Sequence, residues 1–177
     1  MAESILDREC WEFTAQWEGA VDHCYLDTAG VVTVGVGFAL HSLQDVWKLP
    51  WSPNAQAACA DWNIVKGQAK GHLASFYKRF CMARLPVAHM RPLFAAKMQG
   101  FQKLIAERWK LYDQPINAQV ALSDLVWNVG PAGLNKFAKL HAAVMARDWE
   151  TAAVESRRKG IGDARNIATG ALFRALV

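Results

Sequence analysis

Two carboxylates and a hydroxyl stand close together early in the 177-residue chain: Glu18 in Trp17-Glu18-Gly19, Asp27 in Tyr25-Leu26-Asp27-Thr28-Ala29-Gly30, and Thr33 in Thr33-Val34-Gly35-Val36-Gly37. Asp27 follows Glu18 by nine residues and Thr33 follows Asp27 by six. A protonated carboxyl can give its proton to a leaving sugar oxygen while a second carboxylate, aided by a hydroxyl, holds and activates a water; this is the division of labour that hydrolysis of a glycosidic bond requires. A carboxyl separation of roughly 6.5–9.5 Å would leave room for that water and give inversion. Each residue also has a plainer use. Glu18 can be a solvated helix-end charge, Asp27 can stabilise an Asp-x-x-Gly turn, and Thr33 can be a strand former.

The surrounding elements must position these groups. Ile5, Leu6, Trp11, Phe13, Thr14 and Trp17 recur at helical spacing, so a helix is expected over residues 3–18, stopped by Gly19. From Cys24 to Leu40 the pattern turns β-like. Asp27 to Gly30 reads as a turn and Val31 to Val36 as a strand, placing Asp27 and Thr33 on a small antiparallel sheet. Leu49-Pro50-Trp51-Ser52-Pro53 reads as a connector, with Ser52 as N-cap and Pro53 in the first helical position. A long alanine-rich helix is expected over 54–80, broken near Gly71, and another over 92–109. Asn117 is expected to cap a helix over 118–129, apolar nearly all round and ended by Gly130-Pro131. Helices over 134–146, 149–158 and 164–176 complete the chain, with Asp148 and Asp163 as N-caps. The fold class is therefore α+β: mostly helical, with a small antiparallel sheet in an N-terminal lobe and a larger helical C-terminal lobe. A single domain over 1–177 is expected, its small lobe covering about 18–53 and its helical lobe about 80–177 plus the N-terminal helix.

The stretch around Glu18, Asp27 and Thr33 resembles the active-site segment of phage-type lysozymes, the endolysin and pesticin group of glycoside hydrolase family 24. The family pattern is Glu, then aromatic-x-Asp-x-x-Gly, then Thr-x-Gly-x-Gly. Given ordinary residue usage, each further match among Tyr25, Gly30, Gly35 and Gly37 cuts a chance explanation by about ten- to twentyfold. The resemblance implies a lysozyme-like fold and a muramidase that cleaves the β-1,4 bond between N-acetylmuramic acid and N-acetylglucosamine, with Glu18 as acid and Asp27 and Thr33 on the water, and with neither metal nor cofactor. It extends loosely to Trp127-Asn128-Val129-Gly130, to Phe137, and to Arg165-Asn166 and Phe173-Arg174. Through it Asn128 is expected to bind a sugar acetamido group or help fix the site, and Arg165 to pair with Glu18, where its charge would lower a carboxyl pKa that a general acid needs raised. On position alone Arg165 could equally be a surface charge on the last helix. One departure is Phe38, where the family commonly has a histidine; His41 comes three residues later. Residues 43–115 match only in helical character.

Hydrophobic residues make up 53% of the chain and charged residues 20%, which excludes a disordered polymer, and no window has the apolar length of a membrane span. Stable membrane insertion is therefore not expected. The start Met-Ala-Glu-Ser-Ile-Leu-Asp-Arg-Glu-Cys lacks the basic and apolar regions of a cleaved signal. On the family resemblance, the expectation is synthesis in the cytoplasm and action at the bacterial cell wall after holin release or secretion. The formal charge of +4 suits an anionic envelope, but Lys and Arg are spread along the chain and no nucleic-acid motif accompanies them, so nucleic acid is not an expected partner. Arg157-Arg158-Lys159 reads as a solvated helix end. Cys10, Cys24, Cys59 and Cys81 have no metal-ligand spacing, and free buried thiols are favoured over disulfides. The partner expected is the peptidoglycan glycan strand, acted on by a monomer; an effector toxin would add an immunity protein, whereas an endolysin would not. Chitin hydrolysis, a lytic transglycosylase and a catalytically silent glycan-binding module on the same scaffold are the competing readings.

Overall fold

The computed structural model describes residues 3–177. They form two compact units: Glu18–Phe94, and 3–17 with Ala95–Val177.

The first unit holds a three-stranded antiparallel sheet of β1 (Val21–Leu26), β2 (Val32–Gly35) and β3 (Phe38–Ala39), in that spatial order. The β-branched run Val32-Thr33-Val34 makes β2, and all of it is buried. Tyr25 and Leu26 lie opposite Thr33 and Val32, and Thr33 in turn lies opposite Ala39. Gly35 and Gly37, at φ +64° and +80°, turn the chain between β2 and β3, and a side chain at Gly35 would meet the Phe38 ring at 2.8 Å. The residue found in place of the family histidine is thus packed against the hairpin backbone. Helices α2 (Leu43–Trp47) and α3 (Ala55–Lys66) follow, with α3 packed on β1 and β2. The Trp62 Nε1–H donates to Leu40 O at 2.9 Å, and Asp61 Oδ2 accepts from the Ala83 N–H at 2.7 Å.

The α3 cap is Asn54, which accepts from the Ala57 N–H, and not Ser52. Ser52 exchanges both backbone hydrogen bonds with Arg84, at 2.9 and 2.7 Å, so its backbone already belongs to a bridge. The helix expected over 54–80 with a break near Gly71 is two pieces, and the gap is wider than one residue: α3 stops at Lys66, and α4 (Ala74–Tyr77) runs into a 3-10 turn at Lys78–Phe80. Gly67 ends α3 and Gly71, at φ +93°, holds the break.

In the second unit α1 (Ile5–Glu18) ends at Gly19, φ +72°, as its sequence foretells. Helix α5 (Val87–Trp109), whose residues up to Phe94 belong to the first unit, starts five residues earlier than expected and keeps Pro92 inside; the buried Met90 and Phe94 on either side anchor that early turn. Helix α6 (Ile116–Leu134) begins after Pro115 with no side-chain cap, so Asn117 lies inside it. It breaks at Gly130, φ +70° and ψ +167°, and one further turn carries it to Leu134, which is why α7 covers only Ala138–Ala146. Asp148 caps α8 (Trp149–Glu155) by accepting from the Thr151 N–H. Gly162, not Asp163, is the N-cap of α9 (Asp163–Arg174); Asp163 is its first residue and pairs with Arg157. Leu122, Leu125 and Val126 of α6 pack with Trp109, Leu140, Val144 and Phe173 in one core. The architecture is the α+β, mostly helical fold with a small antiparallel sheet. No helix among the described residues is long and apolar enough to cross a membrane.

Candidate active site

Glu18 is the last residue of α1, half-buried, with Gly19 ending the helix behind it. Its Oε2 lies 4.0 Å from where a side chain would begin at Gly37, so the glycine of the β2–β3 turn leaves open the space beside the carboxylate. The preceding Trp17 packs edge-on against Phe13 at 6.5 Å.

Asp27 follows β1 directly. Its Oδ1 accepts from the Val31 N–H at 2.8 Å, its own N–H donates to Val31 O at 3.0 Å, and its carbonyl accepts from the Gly30 N–H at 3.0 Å. The turn is therefore closed by the side chain as well as the backbone. Thr33 is buried, 3% exposed, and its hydroxyl donates to Val31 O at 3.1 Å. One residue thus orients both side chains: Val31 N–H holds the carboxylate and Val31 C=O holds the hydroxyl.

Tyr25 connects these groups to Glu18. It lies directly across the ladder from Thr33. Its phenol is pushed up to about 12, first by burial and then by the negative charges of Glu18 and Asp27. Two carboxylates from different elements, a helix end and a strand-end turn, bear on one ring. Within the small unit Asp27 and Thr33 thus meet at Val31, Tyr25 lies across the ladder from Thr33, and Glu18 borders the Gly37 turn of the same sheet.

Asn128 and Arg165 lie in the helical unit. Asn128 is half-buried on α6, just before the break at Gly130. It follows Trp127, whose ring stands edge-on to Phe101 at 6.0 Å and carries Lys97 Nζ at 4.6 Å. Arg165 is 7% exposed, so it is no surface charge. Its Nη2 donates to Asp124 Oδ1 at 2.7 Å, while Arg158 Nη1 donates to Asp124 Oδ2 at 2.9 Å. Thr14 and Thr169 hydroxyls donate to the same carboxylate at 3.2 and 3.3 Å. Arg158, expected in a solvated basic run, is thus a buried partner of Asp124. Sequence reasoning missed this cluster; its signal was Asp124, one acid amid the apolar turns of α6.

The fold is a lysozyme-like α+β one, with Glu18 beside the glycine-rich β2–β3 turn and Asp27 in the β1–β2 turn of the same sheet. The chain belongs to the phage lysozyme family, which matches residues 15–163. No curated protein matches the chain. As a family member it is a glycoside hydrolase of the lysozyme type, acting on the peptidoglycan of the cell wall.

Proposed function

We propose that the chain is an N-acetylmuramidase that cleaves the β-1,4 linkage from N-acetylmuramic acid to N-acetylglucosamine with Glu18, Asp27 and Thr33. Glu18 gives its proton to the glycosidic oxygen as the bond to the anomeric carbon breaks. A water attacks that carbon from the opposite face and passes a proton to Asp27, with the Thr33 hydroxyl helping to orient it, so the products are one new reducing end and one free 4-hydroxyl. The observation carrying this is that Val31 holds both the Asp27 carboxylate and the Thr33 hydroxyl, at 2.8 and 3.1 Å, on the sheet whose Gly37 turn leaves space beside the Glu18 carboxylate. The same proposal keeps Asn128 and Arg165 as substrate-binding residues and needs no cofactor.

Glu18→Gln should keep the melting temperature and abolish release of reducing ends from purified sacculi; full activity in that variant removes Glu18 as the acid. Mass spectrometry of the muropeptides should find hydrated, reducing ends, whereas anhydro ends would mean a transglycosylase that does not use a water on Asp27. The pairing of Arg165 with Glu18 inferred from the family resemblance is read by a double-mutant cycle, and zero coupling rejects it. The setting we propose is bacterial cell lysis, by a monomeric endolysin or effector toxin made in the cytoplasm. Lysis of cells expressing the chain with an added periplasmic signal, and a co-encoded protein that suppresses it, would single out the effector.

A further inference from the structure

We infer that the surface carried by α4 and the 3-10 turn after it is a docking site for an anionic phospholipid bilayer. No Asp or Glu occurs between Asp61 and Glu107, and six Lys or Arg fall between Trp62 and Phe94. In the chain's small unit this acid-free stretch builds an aromatic and cationic cluster. The His72 ring stacks on Phe76 at 3.9 Å and 17°, the Arg79 guanidinium lies 4.4 Å over Phe76 and 5.9 Å from Phe80, and the two phenyl rings are 5.6 Å apart.

Large aliphatic groups stand exposed at both ends of the same segment: Leu73, 82% exposed, just before α4, and Met82, 79% exposed, just after the turn. Asp61 and Asp22, which meet this segment, are already committed. Asp61 is buried with its Oδ2 on the Ala83 N–H. Asp22 does face Lys78 and so weakens that one cation's contribution, but it is already committed to His23 at 2.7 Å and Arg84 at 3.6 Å. Cations with stacked rings, flanked by protruding aliphatic side chains, match a headgroup layer over acyl chains: the guanidinium and ammonium groups meet lipid phosphate while Leu73 and Met82 enter the apolar boundary. A hydrophilic polyanion such as nucleic acid or a phosphate-rich wall polymer would use the cations and leave Leu73 and Met82 without a role. The inference is independent of which residues hydrolyse glycan.

Co-sedimentation of the full chain with vesicles of phosphatidylcholine, alone or mixed with phosphatidylglycerol, tests it. Binding is expected only to the mixed vesicles and should weaken as salt shortens the Debye length. Leu73→Ser combined with Met82→Ser should weaken binding about tenfold or more, and Lys78→Gln combined with Arg79→Gln by roughly twentyfold, near fivefold for each charge. Because Arg79 packs on Phe76, the single change Lys78→Gln supplies a charge arm that leaves the ring cluster intact. All of these variants should melt as the parent does and release reducing ends from soluble glycan fragments at the parent rate. Equal binding to neutral vesicles overturns the proposal. So does undiminished binding after loss of Leu73 and Met82, with DNA or polyphosphate competing as well as the lipid: that result would mark a plain polyanion site.

Discussion

Val31 sets what Asp27 and Thr33 can do, because its N–H and C=O are the hydrogen-bond partners of the two side chains. Asp27→Asn keeps an oxygen that can accept from that N–H, so the turn should survive while the charge that would activate water is gone. Reducing-end release should fall by about 10²–10⁴ with the melting temperature little changed. A variant that retains most of its activity would show that Asp27 serves the turn alone. Thr33→Val removes the hydroxyl at nearly constant volume from a buried strand position. A loss of stability without loss of turnover per folded molecule would make Thr33 structural, the use its β-branched type already suggests. Gly35→Ala tests the hairpin: its φ of +64° and the 2.8 Å approach to the Phe38 ring both oppose a methyl group. The expected cost is roughly 1–3 kcal/mol, read by urea denaturation.

At the scale of elements, the buried Asp124 joins three helices. It accepts from Thr14 of α1, from Thr169 and Arg165 of α9, and from Arg158 in the segment before α9. Through Thr14 the carboxylate ties α1 to α6 and α9 within the helical unit. Asp124→Ala would remove the buried carboxylate on which two guanidinium groups converge, at a cost of about 3–5 kcal/mol in urea unfolding. A loss below about 1 kcal/mol would mean that other groups or water neutralise them. Local chemistry made part of this visible beforehand: Gly19 and Gly130 stop helices, Asp148 caps one, and Asp27 to Gly30 form a turn, because each depends on neighbours within a few residues. What stayed hidden depends on partners far along the chain. Ser52 could have capped α3 but is bridged to Arg84, and Arg158 looked solvated until Asp124, 34 residues away, supplied an anion. The candidate site was legible as a motif at Glu18, Asp27 and Thr33, whereas the joint hold of Val31 and the place of Tyr25 needed the strand register.

Over the whole molecule the four cysteines are free, and burial raises all of their thiols. Cys10 lies in the helical unit and is pushed up to about 12, by burial first, against the lowering effect of its hydrogen bond with Ser123. Cys81, in the small unit, also reaches about 12 through burial, and its Sγ–H donates to Cys24 O at 3.4 Å, while Cys24 is raised further still. An unfolded thiol loses its proton near 9, so between about 9 and 12 the unfolded chain binds fewer protons than the folded one. Stability must then fall as pH rises, by about 1 kcal/mol per pH unit for each fully buried thiol. Tyr25 adds to the same slope between 10 and about 12. Below the unfolded value these groups are protonated in both states and contribute no pH dependence. Urea midpoints should therefore hold steady approaching pH 8 from below and drop steeply above about 9. The native protein at pH 8 should react quickly with an alkylating reagent at Cys59 only, the one cysteine that is not buried. Rapid modification of all four thiols, or midpoints that stay flat to pH 11, would show that the interior opens to solvent far more readily than this packing allows.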